Sequence, residues 1–461
     1  MNRRRFLSNL TATSAGFFGM HALLTGGADA APAPTFQSDG YGPLIEDPHR
    51  IIDLPEGFEY RVFSRKGDQM DDGLLVPGLH DGMAAFAGPN GKTILVRNHE
   101  LRPTSVESGA FGEENSLLSK LDRDFFYDYG NGEAPGLGGT TTMVYDTRTH
   151  RLEKHWMSLA GTIRNCAGGP TPWGSWVSCE ETTMRKGGPV EKDHGFNFEV
   201  PITTEKAVEP VALTEMGRFN HEAIAVHPPT GIVYQTEDRP DGLIYRYIPN
   251  KPGELHRGGK LQAMALADLK SGDTRNWDKL VLNQGEPVAV RWIDIKNVLS
   301  PEDDLRDQGF DSGGCRFARG EGIWTGDDGE IYFACTNGGK EKAGQVFRYR
   351  PSPDEGKKAE SKNPGKLELF LESPDRRLLE YCDNLTVAPW GDLVLCEDGD
   401  GVDHIIGVTP DAKVYKLGKN ALNDGELTGS CFSPDGTTLF VNIQGVGWTL
   451  AITGPWSRRA A

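Results

Sequence analysis

The sequence lacks the short motifs that mark several common enzyme classes. It has no Gly-x-Ser-x-Gly elbow with a partnered histidine, no P-loop and no dinucleotide-binding fingerprint. No two cysteines are spaced as Cys-x-x-Cys, and no two histidines are spaced as His-x-x-x-His. These absences disfavour a serine hydrolase, a nucleotide-binding enzyme, a zinc ribbon and a zinc site built from histidine.

Basic charge and long helical patterns are also scarce. The 461 residues include 49 Lys and Arg against 66 Asp and Glu, which gives a formal net charge of −17. Such a surface does not attract nucleic acid or an anionic membrane, so we expect neither as a partner. The 58 Gly and 29 Pro, with few long apolar helical patterns, are typical of an all-β protein.

The N-terminus has the features of an export signal. Three arginines at positions 3 to 5 precede a moderately apolar stretch from Leu10 to Leu24, and small residues at 28–30 resemble a cleavage site. The stretch is too short and interrupted for a membrane anchor. We therefore expect residues 1–30 to be a twin-arginine signal peptide, read by the twin-arginine export machinery. Residues 31–461 would form one catalytic domain in the periplasm or outside the cell.

The chain does contain a repeated unit of two short apolar runs around a glycine turn. In Cys315–Thr336, Glu321 heads the first run, the turn is Gly326–Gly329, and the second run is Ile331–Ala334. This pattern predicts a β-hairpin, so Glu321 and Thr336 should lie at the same edge. The unit occurs six times, with turn glycines at Gly91, Gly174, Gly231, Gly329, Gly391 and Gly436.

A long repeat built from strand pairs predicts a radially closed fold. We predict one six-bladed β-propeller with loop and short helical insertions on its top face. Five or seven blades would also fit if outer strands are miscounted. The strand expected at Leu54–Phe63 would complete the last blade. The innermost strands line the channel, so the heads of the first runs should meet at one mouth: Asp81, Cys166, Glu222, Glu321, Asp383 and Glu426.

Five carboxylates and one thiol in a confined ring repel one another unless cations bind or some groups stay protonated. Carboxylates suit calcium, ferric and manganese ions, and a thiolate among them favours at least one transition metal. We therefore expect Cys166 to be a metal ligand and not a disulfide partner. The alternative is that these acids only cap strand ends and face water. Cys179, Cys335 and Cys396, at equivalent ends of second strands, are expected to be buried, inert thiols.

Arginines near the heads could bind a substrate anion. Arg319 lies two residues before Glu321, so alternation along an extended segment would put both on one side. Its guanidinium could then clamp a phosphate with two hydrogen bonds. Arg97, Arg164 and Arg218 also lie close to the expected channel edge and could assist, or could form outer salt bridges instead.

Several motifs resemble the PhoX family of bacterial alkaline phosphatases. They are Arg164 to Gly174 with Cys179-Glu180-Glu181, Gly217 to Glu222, Phe317 to Gly322, and Asp383-Asn384-Leu385, together with the export signal. The resemblance runs from about Leu54 to the C-terminus of a chain shorter than is expected for the family. Cys382 stands where a proline is expected before Asp-Asn.

The resemblance implies a phosphatase that hydrolyses small phosphate monoesters at a propeller site holding two Fe³⁺ and up to three Ca²⁺. It assigns the iron ligands to Cys166, Glu222 and Glu321, further metal ligands to Glu181 and Asp383, a calcium ligand to Glu100, and the phosphate clamp to Arg319. The alternative function is a calcium-binding propeller that acts as a lactonase-like hydrolase or a ligand-binding protein. In that case the acids would hold calcium alone.

Overall fold

The structure, a computed structural model, describes residues 36–458 and consists mainly of antiparallel β-strands. The expected signal peptide, residues 1–30, lies outside the described residues. Within the described part, the single α-helix is α1 (Leu305–Asp311), close to the helical insertion expected from the sequence. No helix in this part of the chain is both long and apolar enough to cross a membrane.

The strands follow one another with short loops. In chain order they are β1 (Leu44–Ile45), β2 (Ile52–Pro55), β3 (Glu59–Arg65), β4 (His80–Ala87), β5 (Thr93–His99), β6 (Gly138–Asp146), β7 (Arg151–Thr162), β8 (Asn165–Pro170), β9 (Ser175–Glu180), β10 (Asn197–Pro201), β11 (His221–His227), β12 (Ile232–Glu237), β13 (Ile244–Pro249), β14 (Gly259–Leu266), β15 (Val288–Asp294), β16 (Gly320–Thr325), β17 (Ile331–Cys335), β18 (Gln345–Arg350), β19 (Lys366–Glu372), β20 (Cys382–Val387), β21 (Leu393–Glu397), β22 (His404–Val408), β23 (Val414–Asn420), β24 (Leu427–Phe432), β25 (Thr438–Ile443) and β26 (Trp448–Thr453). Single turns of 3₁₀ helix occur in the loops, for example at Arg123–Phe125 and Thr214–Met216.

Hydrogen bonding divides these strands into five sheets, all antiparallel between neighbours. Four of them have the orders β4-β5-β6-β7, β10-β9-β8, β1-β2-β23-β22-β21-β20 and β24-β25-β26-β3. The fifth has nine strands in the order β11-β12-β13-β14-β15-β19-β18-β17-β16. The all-β prediction is therefore confirmed, and the arrangement is propeller-like.

The nine-stranded sheet differs from the blades that the sequence predicts. Its two halves are joined only between β15 and β19, at Val288↔Leu367 and Ala289↔Lys366. Its end strands, β11 and β16, also lie beside each other, so the sheet is nearly closed on itself. The hydrogen-bonded sheets thus number five, one fewer than the six blades expected.

The first strands of the six sequence units surround a narrow channel. β4, β8, β11, β16, β20 and β24 each lie against the next, and β24 lies against β4. Small residues permit this approach: a Cβ on Gly82 would lie 2.5 Å from Ala167 Cα, and one on Gly322 would lie 2.6 Å from Leu385 N. The axial cavity, lined in part by Trp176 and Trp324, has only about 20 Å³, so the channel is narrow there.

A β-bulge recurs where each first strand begins. In β4 and β5 the pairing moves from His80↔His99 to Met83↔Arg97, so three steps along the inner strand match two along its partner. The same shift occurs in the other five first pairs, β8–β9, β11–β12, β16–β17, β20–β21 and β24–β25. Bulges of this kind redirect side chains at the rim of a sheet.

The bulge corrects one of the predicted heads. Asp81, Cys166, Glu222, Glu321 and Asp383 each occupy the bulge of their unit, as the equivalence of the units requires. In the sixth unit the bulge falls at residues 429–430, between Thr428 and Cys431. Glu426 was therefore assigned the wrong position in the repeat, since it precedes β24.

The chain ends meet in one sheet, as the sequence predicts. β3 pairs with β26 from Trp448↔Arg65 to Thr453↔Glu59, so an N-terminal strand completes the C-terminal sheet. The apolar cores lie between neighbouring sheets: Val394 and Ile405 pack in one cluster with Val441 and Leu450 of the next sheet. Because β3 pairs with β26, the C-terminal strand β26 has a hydrogen-bonded strand on each side and is not an edge strand.

Gly82→Ala should destabilise the fold, because the new Cβ would meet the backbone of Ala167 at 2.5 Å. We expect a loss of about 1–3 kcal/mol in the free energy of unfolding, typical of overpacking against a rigid neighbour. Denaturant unfolding under matched metal conditions measures it. Gly187→Ala is the control, since nothing lies within 4 Å of its Cβ position. Equal stabilities of the two variants would contradict the close approach described above.

Candidate metal centre

Acidic side chains and one thiol converge at one end of the channel. Cys166, Glu181 and Glu222 each offer a ligand atom, and these atoms lie within 4.8 Å of one another. Glu222, Glu321 and Asp383 form a second group by the same measure. Because Glu222 belongs to both groups, the two are adjacent. The structure thus brings together five of the six side chains expected to hold metal.

The remaining acids complete the ring or lie on its rim. Asp81 Oδ2 is 3.6 Å from Cys166 Sγ, and Glu426 hydrogen-bonds to Asp383 in spite of its different position in the repeat. Glu100, the expected calcium ligand, lies outside both groups. Its Oε1 accepts a hydrogen bond of 2.8 Å from Arg164 Nε.

Glu222 is the central side chain of the site. It is 1% exposed, and neither of its carboxylate oxygens has a hydrogen-bond partner among residues 36–458. A buried, unpaired carboxylate costs several kcal/mol unless a cation or a proton satisfies it. The two orphaned oxygens, next to a thiol and further carboxylates, therefore fit a metal site.

Burial and repulsion act on the whole ring. They raise the pKa of Glu222, next to Glu321, and the pKa of the Cys166 thiol, next to Asp81. Burial and the Asp398 charge raise the pKa of Asp383 to about 7, although Arg319 opposes the rise. A bound cation would reverse this tendency and hold the groups ionised.

The backbone is strained two residues before most of the heads. Leu79, Arg164, Arg319 and Tyr381 have φ angles of 42°, 51°, 54° and 51°, in the left-handed region. Their carbonyls accept the backbone N–H of the residue that directly follows the facing strand, as Thr336 donates to Arg319 at 3.1 Å. Such strain is a feature of functional sites held by the surrounding structure.

Arg319 lies at the mouth, but not for the reason that the sequence suggested. Its backbone is left-handed and not extended, so strand alternation is the wrong explanation. The guanidinium binds Asp238 through Nε at 2.8 Å and Nη2 at 3.1 Å, and Nη2 is 3.0 Å from Glu321 Oε1. Nη1 has no hydrogen-bond partner in the described range, and the side chain is 32% exposed. Thr336 Oγ1 also binds Glu321 at 2.6 Å, which confirms the shared hairpin edge.

Two of the other three arginines are placed away from the ring. Arg97 is fully buried and donates to the hydroxyls of Ser64, Thr141 and Thr449 on outer strands. Arg218 donates to backbone carbonyls of the loops near the mouth, including Ser300 O at 3.1 Å. Both arginines therefore stabilise the packing of the strands and loops around them. Arg164 alone joins Arg319 on the rim.

The sequence reasoning missed three rim residues. Asp238 and Asp398 directly follow their second strands, as Glu100 and Glu181 do, and this equivalence was the available signal. Asn220, two residues before Glu222, donates to Glu181 Oε1 at 2.8 Å. Nothing in the sequence marks Asn220 as a functional residue.

A buried triad supports the strand end that carries Glu181. His194 Nδ1 is 2.6 Å from Glu180 Oε1, and His194 Nε2 is 3.3 Å from Asp128 Oδ2. Glu180 also accepts the backbone N–H groups of Ile163 and Gly195. Burial opposes protonation of His194, but the Glu180 charge and the two hydrogen bonds prevail and raise its pKa to about 9.

All seven cysteines lie in the described part, and none is in a disulfide. Cys179, Cys335 and Cys396 are fully buried, as predicted. Cys166 is likewise unpaired with another cysteine, which leaves its sulfur available to the ring.

The family of the chain follows from comparison with known proteins. The family model for the alkaline phosphatase PhoX matches residues 39–447. The chain belongs to the PhoX family. It is therefore a metal-dependent alkaline phosphatase, and the resemblance noted in the sequence motifs is confirmed. No curated protein matches the chain.

One of the similar solved structures supports the fold. Pseudomonas fluorescens PhoX in complex with vanadate, a transition-state analogue, is 18% identical with a TM-score of 0.64, over 93% of this chain and 98% of that one. A gluconolactonase from Xanthomonas campestris is 13% identical over 93% and 99% of the two chains, with a TM-score of 0.35. A virginiamycin B lyase from Staphylococcus aureus is 12% identical over 86% and 99%, with a TM-score of 0.37. The last two scores are too low to support any conclusion about this PhoX member.

Replacing His194 by Gln should destabilise the protein in a pH-dependent way. The folded-state pKa of about 9 exceeds the ordinary value of 6.5, so the stabilisation is complete below pH 6.5 and is lost as pH rises through 9. We expect a deficit on the order of a few kcal/mol at low pH that disappears above pH 9.

Unfolding curves of the wild type and His194→Gln across this pH range, at matched metal content, measure the effect. His227→Gln is the control, because burial lowers the pKa of His227 and its contribution cannot fade with rising pH. A deficit for His194→Gln that is constant with pH would show that the imidazole is not charged in the folded protein.

Proposed function

We propose that this PhoX-family protein hydrolyses small phosphate monoesters at a multinuclear iron and calcium site. The observation that carries the proposal is the pair of ligand groups that share Glu222, whose buried oxygens are unpartnered. A single ion would satisfy only one of the two groups, so at least two ions are expected. The thiol of Cys166 in the first group favours a transition metal there.

The proposed ligands combine the grouping of the side chains with the assignments that the family resemblance implies. Cys166, Glu222 and Glu321 are proposed to bind iron, two Fe³⁺ in all, with Glu181 and Asp383 as further metal ligands. Glu100 is proposed as a ligand of one of up to three Ca²⁺, because carboxylates on an open rim suit a hard cation. Bound there, the ions would polarise the phosphoryl group and offset the charge of its oxygens.

Arg319 is proposed to bind the substrate phosphate. Asp238 holds the guanidinium by two hydrogen bonds, so its direction is set before a substrate arrives. The free Nη1 can then donate to a phosphoryl oxygen whose charge grows during the reaction. The channel is narrow at the cavity lined in part by Trp176 and Trp324, which holds only about 20 Å³. We therefore propose that ester and water enter and leave by the mouth.

We interpret the fold as six blades in one catalytic domain, residues 31–461. The six identical bulges and the closed cycle of first strands support this count. The nine-stranded sheet then consists of two blades, joined by the two residue pairs between β15 and β19. The composition of residues 1–30 supports export by the twin-arginine machinery to the periplasm or beyond.

Metal removal and metal analysis test this function. We expect the exported protein to contain iron and calcium, to absorb visible light through a thiolate–ferric bond, and to hydrolyse p-nitrophenyl phosphate until a chelator removes the metals. Cys166→Ser should lose the visible absorption and most of the activity, since a hydroxyl is a poor substitute for a soft ligand.

Cys431→Ala is the matched control, because Cys431 is buried in an apolar cluster away from the ring. It should keep the colour and the activity. A colourless wild type that contains calcium alone and does not hydrolyse p-nitrophenyl phosphate would support the lactonase-like or ligand-binding alternative for the ring. Unchanged colour in Cys166→Ser would exclude Cys166 as an iron ligand.

Arg319→Ala should lower kcat/KM on the order of 100-fold, the usual effect of removing one preorganised donor to a developing charge. Arg319→Lys should be impaired as well, because it keeps the charge but loses the planar fork. Arg348→Ala is the control: Arg348 makes the same kind of two-pronged contact, with Glu368 between outer strands. Steady-state kinetics and metal analysis of these variants test the role of Arg319. Full activity in either Arg319 variant, or loss of metal from both, would refute the role.

A further inference from the structure

A second arginine occupies the same setting as Arg319. Arg164 precedes Cys166 by two residues, as Arg319 precedes Glu321, and their φ angles are 51° and 54°. The carbonyl of Arg164 accepts the N–H of Glu181 at 2.8 Å, matching the bond from Thr336 to Arg319. The two arginines therefore project from equivalent points of two different units.

The side-chain contacts of Arg164 leave one donor free. Nε binds Glu100 Oε1 at 2.8 Å, and Nη2 binds both Glu100 and Glu181 Oε2. No hydrogen bond to Nη1 occurs within residues 36–458, and the side chain is 24% exposed. Arg319 shares this pattern, with Nε and Nη2 bound to carboxylates and Nη1 free.

A continuous line of hydrogen bonds connects the two arginines along the rim. Asn220 Nδ2 donates to Glu181 Oε1 at 2.8 Å and to the backbone oxygen of Asp238 at 3.2 Å. Glu181 holds Arg164, and Asp238 holds Arg319. Asn220 thus connects the two residues that anchor the arginines, Glu181 and Asp238.

The line passes the ring at the unit that carries Glu222. Asn220 lies two residues before Glu222, the carboxylate shared by the two ligand groups. Arg164 is anchored to Glu181 of the first group, and Arg319 approaches Glu321 of the second. One guanidinium therefore stands on each side of the unpartnered Glu222.

We propose that Arg164 is a second phosphate-binding residue, which with Arg319 holds the phosphoryl group from two sides, and that Asn220 is the positioning residue that sets their separation. The inference rests on the proposed function, because it requires the phosphate to bind over the ring. A monoester phosphate has three non-bridging oxygens, enough for the metals and for two arginine donors. A diester has only two, so this arrangement suits terminal phosphates.

Equilibrium binding of orthophosphate, measured by calorimetry on metal-loaded protein, tests the proposal. Each of Arg164→Lys and Arg319→Lys should bind orthophosphate about 10-fold more weakly than the wild type, the effect of losing one charge-assisted hydrogen bond. Iron and calcium contents should stay unchanged, since lysine keeps the charge beside Glu100 and Glu181. Arg348→Lys, on the outer strands, is the control and should bind like the wild type.

The positioning role of Asn220 has its own variant. Asn220→Ala should also weaken orthophosphate binding at wild-type metal content and well below its melting temperature, whereas a merely structural role would lower the stability alone. Unchanged orthophosphate affinity in Arg164→Lys, or loss of its metals, would overturn the proposal and leave Arg164 as a partner of the acids only. If the wild type itself held no iron and bound no orthophosphate, the proposed function would fall together with this inference.

Discussion

The structure depends on the confinement of like charges around Glu222. A buried carboxylate without hydrogen bonds, beside a thiol and three further carboxylates, is unfavourable for the protein alone. The rest of the fold holds these groups together against their repulsion. Bound cations would remove the repulsion, so the same confinement would favour metal binding. The rim arginines offset part of the charge without filling the centre, which leaves room for metals and substrate.

The repeat explains how one fold can hold such a ring. Each first strand begins with a bulge, and in five units the bulge carries a carboxylate or thiol toward the axis. Glycine or alanine follows the head in four units, at Gly82, Ala167, Ala223 and Gly322, which lets the strands approach closely beneath the ring. The same local geometry, repeated around a channel, therefore produces both the close packing and the concentration of charge.

Much of the repeat could be predicted from the sequence, because each unit is a short, continuous segment of the chain. Hairpins with glycine turns, the heads other than Glu426, and the strand that closes the last sheet all follow from patterns within about twenty residues. The position of Glu426 was misassigned, since it lies three residues before the head position of its unit, where a glycine replaces the acid or thiol found in the other units. The left-handed backbone of Arg319 was missed for a similar reason, as arginine rarely adopts it and nothing in the sequence signals it.

The sequence by itself determined the all-β class, the repeated unit, the family and the residue types at the heads, since these depend on short-range patterns and on motifs. Only the tertiary structure decided which side chains meet. It separated Arg97 and Arg218 from the ring, joined Arg164 to Arg319 through Asn220, and left Glu222 without a hydrogen-bond partner among the described residues. Contacts between units depend on how strands far apart in the chain pack around the channel, and that information is distributed over the whole chain and is not contained in any one repeat.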